Sequence, residues 1–140
     1  MVNKKRSVNT QSGVLPFHIS KTEGLRVMLI TTRKMNRWII PKGNIEKNAP
    51  KQSAVNEAYE EAGIKGKIQE KTGSFKYDKS GEIYEVQVYL FKITKILRKW
   101  PEARYRLRRL VSVEQALSLI SDEAVGKMLK KLLKRSADIE

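Results

Sequence analysis

Glu57, Glu60 and Glu61 stand at i, i+3 and i+4 in Asn56-Glu57-Ala58-Tyr59-Glu60-Glu61-Ala62-Gly63-Ile64, a spacing that gathers three carboxylates within one helical turn. Like charges so placed destabilise a helix by roughly 0.2–0.5 kcal/mol per pair. They also lie at the C-terminal end, where the helix dipole disfavours anions. The chain carries 29 Lys+Arg against 15 Asp+Glu, so an acidic knot runs against its composition. Spacing alone leaves two readings open. One is a solvated acidic face. The other is a site for a hard divalent cation such as Mg2+, which favours carboxylate oxygens and keeps several waters.

The element that must hold these acids is a helix over residues 50–62. Pro50 keeps Ala49 extended and suits a first helical turn. Ala54, Val55, Ala58 and Ala62 form a small apolar stripe opposite the acids, and Gly63 can close the helix in the left-handed conformation. Trp38-Ile39-Ile40-Pro41-Lys42-Gly43 leads into it through a short loop.

Around that helix the chain reads as strands and two further helices. Residues 12–19 suggest a first strand, with Pro16 marking an edge or bulge. Residues 25–32 suggest a second, followed by a loop carrying Arg33, Lys34 and Arg37. Residues 67–77 and 83–95 read as a hairpin around Asp78-Lys79-Ser80-Gly81-Glu82. Between Lys92 and Arg109 eight basic residues face one acid, Glu102. Arg104, Arg106 and Arg108 alternate, so a strand there would project them from one face, where they repel unless an anion covers them. A solvated basic edge strand is the alternative. Ser112 opens a short helix, and Ser121-Asp122-Glu123 opens a last one with Ala124, Val125, Met128, Leu129, Leu132 and Leu133 on one face. Strands, a central helix, more strands and terminal helices predict an α/β fold, a mixed sheet between helices.

At 140 residues the chain suits one domain over 12–135, between a flexible basic leader, 1–11, and a frayed C-terminus, 136–140. With no cysteine it has no disulfide, thiolate metal site or cysteine nucleophile, and one histidine, His18, rules out a multi-histidine zinc site. No apolar run approaches the ~18 residues of a membrane span, and residues 1–13 lack the apolar core of a signal peptide. The cytoplasm is the expected compartment, with no membrane partner. A net charge of +14 creates a field that draws polyanions, whether nucleic acid or a small molecule dense in phosphate.

The segment from Gly43 to Ile64 resembles the Nudix box, G-x5-E-x7-R-E-U-x-E-E-x-G-U with U a bulky aliphatic. Gly43, Glu57, Glu60, Glu61, Gly63 and Ile64 match it, with Ala58 a small version of an aliphatic position. The chain departs from the motif in three places. One residue is missing before the R position, Ala49 stands at the first Glu, and Asn56 replaces the Arg whose ion pairs orient the glutamates. Within that family the likeness is to diphosphoinositol polyphosphate and diadenosine polyphosphate hydrolases. It runs over about residues 12–120, through Arg37-Trp38-Ile39-Ile40-Pro41, Trp100 and Val113-Glu114-Gln115-Ala116-Leu117.

This resemblance implies a Nudix-type α/β/α sandwich and a Mg2+- (or Mn2+-) dependent pyrophosphohydrolase acting on a diphosphate linkage in a polyphosphorylated small molecule. It implies metal ligation by Glu57, Glu60, Glu61 and the Gly43 carbonyl, with Glu57 or Glu60 taking the proton of the attacking water. Glu82 and Glu85 read as surface residues, with a distal acid of the kind some members use as the alternative; the resemblance places Arg33, Lys42, Arg106 and Arg108 on the phosphates. Two alternatives stand beside it. One is hydrolysis of an RNA 5′ end, against which Tyr105 is the only aromatic within the arginine run. The other is a catalytically impaired phosphate-binding module, with Asn56 as the cause.

Overall fold

Along the central strands both faces are apolar, and the period of two divides them between two helical layers. In β2 (Gly24–Thr31), Val27 and Leu29 join one core cluster while Met28 and Ile30 join the other. In β6 (Glu82–Ile96), Val86, Val88 and Leu90 alternate in the same way with Tyr89 and Phe91. A strand buried on both faces needs cover on both. On one side α1 (Pro50–Glu57) and the turn following it supply Ala54, Ala58 and Ala62. On the other, α2 (Val113–Leu119) and α3 (Glu123–Ile139) supply Val113, Ala116, Val125, Met128, Leu129 and Leu132. The expected α/β/α sandwich results.

The computed structural model describes residues 8–139, with side chains through Ser136. Its seven-stranded sheet runs β3 (Trp38–Ile39), β2, β1 (Val8–Ser20), β6, β5 (Ile64–Lys79); β4 (Lys42–Asn44) pairs with β1 and β7 (Arg108–Val111) with β2. The β1–β6 pairing is parallel and the others are antiparallel. Ser80 and Gly81, both at positive φ (54° and 80°), tighten the hairpin loop to two residues. No described helix is long and apolar enough to cross a membrane.

Four expectations change. Val8 already pairs with Ile83, so residues 8–11 belong to β1 and not to a leader; residues 1–7, with Lys4-Lys5-Arg6, lie outside those described. The backbone of α3 continues to Ile139, past the expected end at Arg135, and Glu140 is outside the described residues. Pro16 sits in an interior strand. The Val14 N–H reaches the Pro41 carbonyl on the β2/β4 side, so the nitrogen of Pro16 faces that way too. There it falls between the residues paired with β4 (Gln11–Gly13) and those paired with β2 (Phe17–Ser20), where no donor is required. Finally, the arginine row does not form. Residues 101–105 curl into turns docked on the end of the acid-bearing helix, through Glu102 N–H to the Glu60 carbonyl (3.0 Å) and Trp100 Nε1–H to the Glu61 carbonyl (3.0 Å).

Candidate active site

The acid-bearing helix changes character where the acids begin. α1 starts at Pro50 behind Ala49, which offers no side-chain cap, and gives way at Ala58–Ala62 to a wider π-helical turn. Gly63, at φ 65°, ends it. Such bulges recur at functional sites because they re-aim side chains. Three glutamates adjacent in sequence accordingly receive three environments: Glu60 is exposed, Glu57 half-buried and Glu61 buried.

Both oxygens of Glu61 are taken. Oε1 accepts the Lys42 backbone N–H at 2.9 Å, and Oε2 accepts Arg106 Nη2 at 2.8 Å. Arg106 is itself buried; its Nη1 donates to the Thr31 carbonyl and its Nε to Glu102 Oε1, each at 2.9 Å. Arg33 approaches the same Glu102 oxygen at 3.4 Å. Burial pushes the Glu61 carboxyl up to about 7, outweighing the attraction of Arg106 and the Lys42 N–H. Glu57 is pushed up to about 8, first by burial and then by the charges of Glu61, Glu60 and Glu102. Its carboxylate lies against Gly43: a Cβ built there falls 2.2 Å from Glu57 Cδ, so any side chain at 43 would push that carboxylate aside.

Neither the Glu57 nor the Glu60 side chain has a hydrogen-bond or ion-pair partner among the described residues. Together with Asn44, Glu46, Ser53 and Asn56 they line a cavity of about 40 Å³. That donor set is almost wholly oxygen and suits a hard cation, which one or two carboxylates plus water commonly hold. No three acidic, His or Cys side chains converge on one point among the described residues, because Glu61 faces its own partners. Glu61, the third expected ligand, has its two oxygens on the Lys42 N–H and Arg106 and so ties the helix to the loop. Glu57 and Glu60 are the residues that would hold the metal.

Beside this lies a cleft of about 690 Å³. Arg33, Lys34, Arg37, Lys42 and Lys79 supply its cations, and Trp38, Phe75 and Tyr77 an aromatic wall; Asp78 and Asp122 also line it. Lys42 Nζ sits 4.4 Å over the Tyr77 ring, and burial lowers its pKa. Cleft and acids meet at two points: Lys42 precedes Gly43, and Arg106 lines the cleft while holding Glu61.

Four sequence assignments are thereby sorted. Arg33 and Lys42 do face the cleft. Arg106 faces it too, but its donors are committed to protein acceptors. Arg108 does not line it; its Nη1 caps the helix end at the Ala62 carbonyl (2.9 Å), its Nη2 donates to the Leu97 carbonyl, and its guanidinium stacks 3.9 Å over Trp100. Glu82 and Glu85 stay on the hairpin, accepting from Tyr84 and facing Lys76 at 3.9 Å. Glu102, alone among eight bases in the sequence, is the distant acid whose charge reaches Glu57, while its own carboxylate is paired with Arg106 and Arg33.

Glutamates beside a glycine loop, under a cation-walled cleft in this sandwich, define the Nudix-type hydrolase architecture. No family model matches the chain. Diphosphoinositol polyphosphate phosphohydrolase 3-alpha of Homo sapiens is 32% identical over 104 residues, 72% of this chain and 63% of that protein. Nudix hydrolase 4 of Arabidopsis thaliana is 29% identical over 114 residues, 74% of this chain and 55% of that protein. A solved C. elegans Ap4A hydrolase superposes with a TM-score of 0.78 over 93% of this chain and 98% of that one; at 19% identity that likeness is one of fold. The chain spans between about half and two thirds of the length of the curated relatives it matches. Its curated relatives thus include Nudix hydrolases and diphosphoinositol polyphosphate phosphohydrolases, and its fold is that of solved Nudix hydrolases.

Proposed function

We propose that this chain is a divalent-metal-dependent pyrophosphohydrolase that cleaves a diphosphate linkage in a phosphate-rich small molecule, of the dinucleoside polyphosphate or diphosphoinositol polyphosphate type. The observation that carries this reading is the pair of unpartnered carboxylates, Glu57 and Glu60, sharing one small cavity, with Glu57 against Gly43 and Lys42 leading from there into a cationic cleft. Mg2+ or Mn2+, when bound, supplies charge neutralisation and a more acidic water. Glu57 or Glu60 accepts that water's proton; the water oxygen bonds to one phosphorus, and the bond to the bridging oxygen breaks, releasing the other phosphate with it. Arg33 and Lys42 bind the flanking phosphates, because such transfers need positioning and charge neutralisation more than covalent help.

The impaired-module alternative loses its main support, since Arg106 supplies beside Glu61 the positive charge that Asn56 lacks. The test is phosphate release with Mg2+ or Mn2+ from diadenosine polyphosphates, diphosphoinositol phosphates, nucleoside triphosphates, ADP-ribose and triphosphorylated RNA. Metal-dependent release, greatest from a diadenosine polyphosphate or a diphosphoinositol phosphate, is expected. Silence across the panel with both metals would overturn the reading; preference for the RNA would move it to the RNA-end alternative.

A further inference from the structure

In the family motif an arginine four residues before Glu60 orients the acids; here that position is Asn56, whose Oδ1 accepts from Gln52 Nε2 at 2.9 Å on the exposed face. We propose that Arg106 is the positioning residue of this site, acting from a segment far along the chain in place of that missing arginine. The inference rests on the metal-dependent reading above.

The geometry runs through a short series of contacts. Arg106 Nη2 fixes Glu61 Oε2 at 2.8 Å, and Glu61 Oε1 fixes the Lys42 N–H at 2.9 Å. Lys42 is followed by Gly43, whose backbone abuts the Glu57 carboxylate so closely that no Cβ fits between them. Arg106 therefore sets, through Glu61 and Lys42, how near the glycine loop stands to Glu57. The other two contacts of the guanidinium, to the Thr31 carbonyl and to Glu102, brace it against β2 and the turn segment. With its side chain 8% exposed and each of its three nitrogens donating to a protein acceptor, Arg106 acts on the site through Glu61.

Position and charge make opposite demands, which gives the test its sign. If Arg106 is only a counter-charge, removing it leaves the acids more negative and divalent binding is as tight or tighter. If it positions the loop, its removal loosens the Glu57–Gly43 spacing and binding weakens. The measurement is the Mn2+ dissociation constant of the full chain by electron paramagnetic resonance, without substrate. Arg106→Met is expected to weaken Mn2+ binding about tenfold or more, the usual cost of losing an outer-sphere partner, and to lower kcat more than it raises KM. In a Glu61→Gln background the same change should matter little, because the route through Glu61 is already cut. Equal or tighter Mn2+ binding by Arg106→Met, or an undiminished effect in the Glu61→Gln background, overturns the proposal. Should Arg106→Met fail to fold, Arg106→Lys decides: it keeps the charge but loses the fork, and unchanged Mn2+ binding overturns the role. A wild-type chain that binds no Mn2+ would instead sink the metal-dependent reading itself.

Discussion

Three glutamates within five residues occupy three different environments. Glu60 is solvent-exposed and unpartnered, so replacing it removes a ligand or base without disturbing packing. Glu60→Gln is expected to lower metal-dependent turnover by about 10²–10³-fold while leaving the thermal midpoint unchanged or slightly higher, read by phosphate release and calorimetry. Glu57 and Glu61 make the metal-free protein sensitive to pH. Their carboxyls sit at about 8 and about 7 when folded, above the ordinary 4.5, so between pH 4.5 and 8 the folded state holds more protons than the unfolded one. Stability therefore falls as pH rises through that window. Solvent screening at the open rim limits the effect from Glu57 to about 1 kcal/mol, or about 2–4 °C in the midpoint. Mg2+, which competes with the proton, should recover the loss above pH 8. A metal-free midpoint that climbs between pH 5 and 8 would contradict this account.

At the scale of the element, the acid-bearing helix is defined by what stops it. Gly63 has φ 65°, and a Cβ there would lie 2.6 Å from Arg108 Nη1 and 2.8 Å from Trp100. Gly63→Ala combines left-handed strain with overpacking and is expected to cost about 2–4 kcal/mol, measurable by denaturant titration. Gly43→Ala should differ: β4 is short and peripheral, but the new methyl displaces the Glu57 carboxylate, so turnover falls while most stability remains. Pro50 and Gly63 made the two ends of this helix legible in the sequence, since both act through their own backbone. The π-helical turn at Ala58–Ala62 was not legible. It turns Glu61 towards partners 19 and 45 residues away, Lys42 and Arg106, which no local preference encodes.

Over the whole molecule, a charge of +14 meets a cleft walled by Arg33, Lys34, Arg37 and Lys42. Attraction of a polyphosphate there should be screened by salt. KM for the best substrate is expected to rise roughly tenfold between 50 and 500 mM monovalent salt, with kcat nearly constant, as several phosphate contacts require. A flat KM would mean that the cations do not recruit the substrate. The strand character of β2 and β6, the apolar stripe of α3 and the spacing of the acids were settled by sequence alone. Each depends on repeats of two or of three to four residues, within reach of local geometry. Tertiary structure decided that Arg106 is buried against Glu61, that Arg108 caps a helix, that Glu102 pairs with Arg106 and that Pro16 lies inside the sheet. Those outcomes depend on which distant backbone and side-chain groups the closed sandwich brings together, and an ion pair between residues 45 apart has no signature until the chain folds around it.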